Sequence, residues 1–521
     1  MRIRTFLSLA ATAAGLLLSA PSYADTWVKS QSDHFVVYSN GSQAVAKLFT
    51  QQLEAYYQTL AELARRSDTD IGDSQPFEVF LLNDRRDMRA VWPSIPEEVG
   101  GFYTSCSEGA VAYSTFGYQD TVYRGHIAGP KGGYDFSVLF HEYAHHFTFQ
   151  TTAMPLPSWY VEGFAEYFMT AHIAQDQITI GDISPERAVT LREGAWLDYA
   201  DILRGKQGNG RSEDEFRFYA QSWLLTHYIL SSSERSAMFA DYIKAVDGGA
   251  DPVTSFEASF HIKVADLAKT LRTYLETTAP TYMVKFSSLP DPHIAVTAMP
   301  KSADKLLMWQ SALQACRRKD SGDGLVDDIR HEAGRFPDDP WAQRVLARAE
   351  IVRGVADAGG AIVSHQAETQ PKDAEIQYLL GRYFMTKAKT DAGDAASADL
   401  KRARSAFGAA YRLNPLDAPN LYFLSLAYRD QPNYPDANAV NAAVQAANLA
   451  PSVQEYSLHA AQVLIRADRS DDAAVLLTPV ASNPHAAARA ARARTIIAAI
   501  GAHAPKDQLL EMMASLAAEK E

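Results

Sequence analysis

Cysteine is nearly absent: Cys106 and Cys316 are the only two in 521 residues, 210 positions apart. No disulfide framework can carry the fold, and spacing alone does not say whether the two pair. Basic residues are in deficit as well. Lys and Arg number 49 against 62 Asp and Glu, for a formal net charge of −13, and no basic run concentrates them. That balance argues against nucleic acid or an anionic membrane surface as a partner. Beyond the first 24 residues no segment reaches the roughly 18 unbroken apolar residues of a membrane helix, so no membrane span is expected.

The N-terminus supplies the one long apolar run. Arg2 and Arg4 precede Phe6 to Ala20, followed by Pro21 and a small-x-small site at Ser22-Tyr23-Ala24. This pattern reads as a secretory signal peptide over residues 1–24, cut after Ala24. No cysteine follows the run to take a lipid anchor. A soluble, exported protein, periplasmic or secreted, is expected.

Between Asp25 and about Pro300 the pattern is mixed. Residues 34–39, 77–82, 111–114 and 177–180 read as strands, and 44–66, 137–149, 158–170, 215–230 and 264–275 as helices. This predicts an α+β domain over residues 25–300. Residues 301–521 change character, becoming alanine-rich and helical throughout. Pro337, Pro371, Pro415, Pro451 and Pro484 fall at intervals of 34, 44, 36 and 33 residues. A period near 34 is the tetratricopeptide signature, although a generic helical bundle is the alternative reading. The extra length of the second interval sits in Lys389 to Asp399 and is read as a loop insertion. Gly381, Ala403 and Ala410 are small where helices would meet, and Phe384 and Phe407 would fill the space between them. This half carries no catalytic constellation and is read as a surface for protein or peptide contact.

Chemistry is concentrated in one stretch, Val138 to Phe168, VLFHEYAHHFTFQTTAMPLPSWYVEGFAEYF. His141 and His145 lie one helical turn apart on one face, a spacing that lets two imidazoles bind one zinc ion. Glu142 is turned roughly 100° around the helix, where it reaches a water on the metal but not readily the metal itself. After the connector, a second helix capped by Ser158 places Glu162 and Glu166 one turn apart on a face otherwise apolar. Two buried carboxylates without a cation are costly, and a metal removes that objection. Glu162 is therefore assigned as the third zinc ligand. Glu166 is assigned as the acceptor for the free ring nitrogen of His141, with a solvated surface acid as its alternative.

HEYAH followed by WYVEGFAEY resembles the gluzincin metallopeptidases, the class that includes thermolysin and aminopeptidase N. More closely, it is similar to bacterial peptidase-MA-like proteins that carry tetratricopeptide repeats. Segments 32–38, 101–103, 218–223 and 255–260 match that family too, so the resemblance covers nearly the whole chain after the leader. It implies a thermolysin-like α+β domain followed by an all-α solenoid, one zinc ion per chain, and hydrolysis of a peptide bond with Glu142 as general base. It also implies a donor to the developing oxyanion, for which Tyr219 stands in the matching place; a packed core tyrosine is the other reading. Aminopeptidase-N-like relatives anchor a free amino terminus with a glutamate where this chain has Ala112. An endopeptidase is therefore expected, with the strand 111–114 offering its backbone to an extended peptide substrate.

Two rival readings stand beside an exported zinc endopeptidase with partner-binding repeats. One is an exported scaffold whose peptidase fold is a weakly active or inactive binding module. The other is metal-assisted hydrolysis of a non-peptide bond, which the same ligands would serve.

Overall fold

The computed structural model describes residues 27–64, 75–96, 99–115, 121–123, 126–128, 136–152, 155–174, 177–207, 212–277, 279–285, 292–315, 324–483 and 486–517. Residues 1–24, read above as a leader, and Cys316 lie outside the described residues.

The first half is built on a six-stranded sheet. Its strands are β1 (Val28–Gln31), β2 (Phe35–Ser39), β3 (Phe77–Leu82), β4 (Gly101–Cys106), β5 (Gly109–Thr115) and a late one, Ala295–Ala298. The order is Ala295–Ala298, β1, β2, β3, β5, β4, with β2, β3 and β5 parallel and β4 antiparallel to β5. Helix α1 (Gln43–Leu63) crosses between β2 and β3, and its start is fixed by Ser42, whose hydroxyl accepts from Val45 N–H. The pleat alternates as period two requires. Phe77, Val79 and Leu81 join the core under α1, while Phe80 and Leu82 point to the opposite face.

The rest of this half is mainly helical. A small hairpin, β6 (Thr121–Tyr123) and β7 (His126–Ala128), precedes α2 (Ser137–Thr151) and α3 (Ser158–Met169). Then come β8 (His172–Ile173), β9 (Gln177–Ile180), α4 (Pro185–Glu193), α5 (Tyr199–Leu203), α6 (Ser212–Leu230), α7 (Ser233–Asp247), α8 (Pro252–Phe260) and α9 (Val264–Thr277). Strand β10 (Tyr282–Lys285) pairs with β9, and β11 (Ala295–Ala298), the late strand named above, returns to β1.

From Ala303 onward every described element is a helix. In order these are α10 (Ala303–Gln314), α11 (Leu325–Ala333), α12 (Pro340–Arg353), α13 (Ala356–Thr369), α14 (Ala374–Thr390), α15 (Gly393–Leu413), α16 (Ala418–Leu426), α17 (Ala437–Leu449) and α18 (Gln454–Arg466), with further helices to residue 517. Each helix of the pairs α12/α13, α14/α15 and α16/α17 packs on its sequence neighbour. Between α14 and α15 the approach depends on a glycine: a Cβ at Gly381 would lie 2.5 Å from the Phe407 ring.

Three expectations are corrected. The extra residues of the long repeat do not form a loop. The chain breaks only at Asp391 and Ala392, and the alanine-rich segment lengthens α15 to 21 residues, as its high helix propensity dictates. Ser158 does not cap α3; it is the first helical residue, behind Pro157, which makes no side-chain cap. Strand 111–114 is not an edge, because β5 is paired on both sides and β4 stands outermost.

The two halves share a core. Trp27, Phe80, Leu82, Phe102 and Tyr113 on the sheet's outer face pack with residues of α10 to α12, among them Leu306, Leu307 and Val345. A second tie lies at the β4–β5 turn. There the Glu108 carboxylate accepts from Tyr378 Oη at 2.9 Å and pairs with Arg348 at 3.4 Å and with Arg382. Tyr456 donates to the neighbouring Ser107 carbonyl at 3.0 Å. The side chains of α12, α14 and α18 thus close on a hairpin of the same chain.

Candidate metal centre

Helix α2 carries the histidine pair. Leu139, Phe140, Ala144 and Phe147 bury one side of it in the core, which leaves His141 and His145 on a face turned toward α3. Helix α3 is buried for most of its length and is pressed against α6 at Gly163. A Cβ there would meet Thr226 Oγ1 at 2.1 Å and the Ser222 carbonyl at 2.3 Å. Only glycine permits this crossing. The crossing holds the preceding residue, Glu162, fully buried and brings Tyr219 of α6 alongside His141, with ring centroids 6.5 Å apart.

Three donor atoms converge. His141 Nε2 and His145 Nε2 are 3.0 Å apart, and Glu162 Oε2 lies 3.4 Å from the first and 3.6 Å from the second. Ligands about 2.0–2.1 Å from a tetrahedral zinc ion sit about 3.3–3.4 Å from one another, so the triangle has the size that one such ion requires. Two imidazoles and a carboxylate are also a zinc donor set. Among the described residues this is the group of His, Cys, Asp and Glu able to hold a metal ion.

The electrostatics agree. Burial draws the His141 pKa down, but the hydrogen bond and charge of Glu162, with Glu166 and Glu142 beyond it, outweigh burial and raise it to about 9. The carboxylates around the site thus favour positive charge at His141. Glu142 is half-buried beside the triad.

Glu166 is buried, and its Oε1 lies 3.6 Å from His141 Nδ1. That is a charge contact longer than a hydrogen bond. Its hydrogen bonds go to Arg187, which donates from Nε to Oε2 and from Nη2 to Oε1, both at 2.8 Å. Sequence reasoning missed this arginine. A signal was present: Ser184-Pro185 begins α4, with the Ser184 hydroxyl capping Arg187 N–H and the proline in the first turn. The cation needed by a second buried carboxylate therefore comes from the protein itself.

Tyr219 donates its hydroxyl to Glu215 Oε1 at 3.1 Å, and the Arg187 guanidinium lies 5.2 Å from its ring. Burial, reinforced by Glu162 and Glu215, pushes its pKa well above the ordinary tyrosine value. The ring is beside the triad while the hydroxyl is held by its own helix. His146 is buried on another face of α2, where Nδ1 lies 2.9 Å from Ser452 Oγ in the α17–α18 corner. Burial lowers its pKa to about 4. Cys106 is buried on β4, with Sγ 3.0 Å from the Gln314 carbonyl.

No family model matches the chain, and no curated protein does. Among solved structures, a thermophilic TPR protein in Thermus thermophilus is similar at a TM-score of 0.29 and 20% identity, covering 37% of this chain and 96% of that one. At that TM-score the likeness carries no structural argument, and the repeat reading rests on the helix pairs described above. No described helix is long and apolar enough to cross a membrane.

Proposed function

We propose that the protein is a zinc-dependent endopeptidase of gluzincin type, with His141, His145 and Glu162 as metal ligands and a tetratricopeptide-type solenoid behind the catalytic half. The observation that carries this reading is the donor triangle, with edges of 3.0, 3.4 and 3.6 Å. A zinc ion held by these three residues would supply a Lewis acid for the scissile carbonyl and would lower the pKa of a water toward about 7. Glu142, next to the first ligand, takes the proton of the attacking water and hands it to the leaving amine. Arg187 fixes Glu166, and Glu166 in turn holds its charge against His141 Nδ1, which favours the ring orientation that directs Nε2 into the triangle. Tyr219 would reach an oxyanion only by releasing Glu215.

The peptide would lie along β4, the outermost strand of the six among the described residues, by backbone pairing with an extended chain. Such pairing needs no chain end, so internal bonds are the expected targets. The test is cleavage of matched free and N-acetylated peptides by the wild-type protein and by Glu142→Gln. Equal cleavage of the pair by wild type, and none by the variant, is expected. Release of single N-terminal residues that stops on acetylation would contradict the endopeptidase reading.

The repeats have a second role in this account. Arg348, Tyr378 and Arg382 from the solenoid are spent on Glu108 of the same chain. That observation favours a supporting clamp over a wholly free recruiting surface, and a protein partner would use the faces that these residues leave uncovered.

A further inference from the structure

A cleft of about 500 Å³ opens beside α4. Ala188, Leu191 and Arg192 of α4 form one wall, and Arg272, Leu275 and Glu276 of α9 form the facing one. Trp223 of α6 and Trp196, from the segment after α4, also line it, as does Asp182. The volume falls in the range of small-molecule sites, and the lining has their usual make-up, an apolar and aromatic body with a few polar groups.

Three of the polar groups, Trp223, Arg192 and Arg272, are donors. The Trp223 indole is 2% exposed, and its Nε1 has no hydrogen-bond partner among the described residues. An indole N–H buried in this way ordinarily finds an acceptor. The Trp196 indole is held in place by its own Nε1, which donates to the Leu191 carbonyl at 3.0 Å. Over its face lies the Arg272 guanidinium, 3.9 Å from the ring centroid. Stacking of this kind pre-orients a guanidinium and leaves its N–H fork open to a carboxylate. Arg192 and Arg272 take part in no ion pair among the described residues. On the acidic side, Asp182 already accepts from Ile183 N–H at 2.8 Å, and Glu276 is exposed at the rim. Those two carboxylates disfavour a multiply charged anion.

We propose that this cleft binds a small monocarboxylate with an apolar body, of the size of an aromatic amino acid. The carboxylate meets Arg272 and Arg192, and the apolar body lies between Trp223, Leu191 and Leu275. Both a free amino acid and the C-terminal residue of a peptide present this chemistry. The site is separate from the metal centre and does not rest on the peptidase reading, although the two share α4, whose Arg187 faces Glu166.

The test is isothermal titration of the full-length, metal-free protein with L-phenylalanine, N-acetyl-L-phenylalanine and L-phenylalaninamide. Saturable one-to-one binding of either carboxylate, with none of the amide, is expected. Tighter binding of the acetylated form assigns the site to peptide C-termini, and tighter binding of the zwitterion assigns it to free amino acids. Arg272→Gln and Arg192→Gln change exposed side chains and should each weaken binding about ten- to a hundredfold with the fold intact. Absence of binding by both carboxylates, equal binding of the amide, or unchanged binding in the Arg272→Gln/Arg192→Gln double variant would overturn the proposal.

Discussion

Glu162 and Glu108 are both carboxylates withdrawn from water, the first between α2 and α6, the second where the β4–β5 turn meets the solenoid. Glu108 is met by two guanidinium groups and a phenol. Burial alone would raise its pKa, but Arg382 and Arg348 outweigh burial and lower it. Glu162 is met by two imidazoles at the spacing of ligands around one ion. A buried acid needs a cation either way. The first is supplied by arginines that are always charged, so it is a fixed joint. The second faces histidines, which can exchange a proton for a metal, and that is what separates a candidate centre of chemistry from a clamp.

The comparison breaks most severely if the solenoid is removed. Trp27, Phe80, Leu82, Phe102 and Tyr113 are buried under α10 to α12. Exposing them would forfeit roughly 10 kcal/mol, at about 1.5–3 kcal/mol each, which rivals the whole stability of a domain. A chain ended after Pro300 should therefore be insoluble or molten by near-ultraviolet circular dichroism.

Next in size is Glu108→Ala, which leaves Arg382 buried without its carboxylate and Arg348 with Glu375 alone. A loss of about 3–5 kcal/mol in urea unfolding is expected. Acid should imitate the change. The folded pKa of Glu108 lies below the ordinary 4.5, so its contribution is full above that value and disappears as the pH falls through the lowered one. Stability of the wild type should drop in that window more steeply than stability of the Glu108→Ala protein. Parallel curves would remove Glu108 from the joint.

A smaller effect belongs to the helix crossing. Gly163→Ala forces a methyl group onto Thr226 and Ser222 of α6 and should cost about 1–3 kcal/mol in thermal or urea unfolding. It should also weaken metal binding, because Glu162 is the neighbouring residue. An unchanged melting temperature would mean that α3 and α6 can separate without cost.

The metal-ligand candidates are legible in the sequence because they depend on helical period alone: His141 and His145, then Glu162 and Glu166, are each one turn apart on a single helix. What is not legible depends on partners far away in the chain. Strand β4 reads FYTS with no clean alternation, because its position at the sheet edge is set by pairing with β5 and not by its own composition. Arg187 is 21 residues from Glu166, and although Ser184-Pro185 marks the start of its helix locally, nothing local names the distant carboxylate it turns toward. The alanine-rich stretch after Lys389 reads as a loop because periodicity counts residues and does not distinguish a longer turn from a longer helix. The sheet's outer face cannot show from its own strands that a helical solenoid covers it.

The roles proposed for Glu162 as ligand and Glu142 as base are separated by zinc content after dialysis against a weak chelator. Wild type and Glu142→Gln should each retain about one zinc ion per chain, and Glu162→Ala should retain almost none. Stoichiometric zinc in Glu162→Ala, or none in the wild-type protein, would contradict the account.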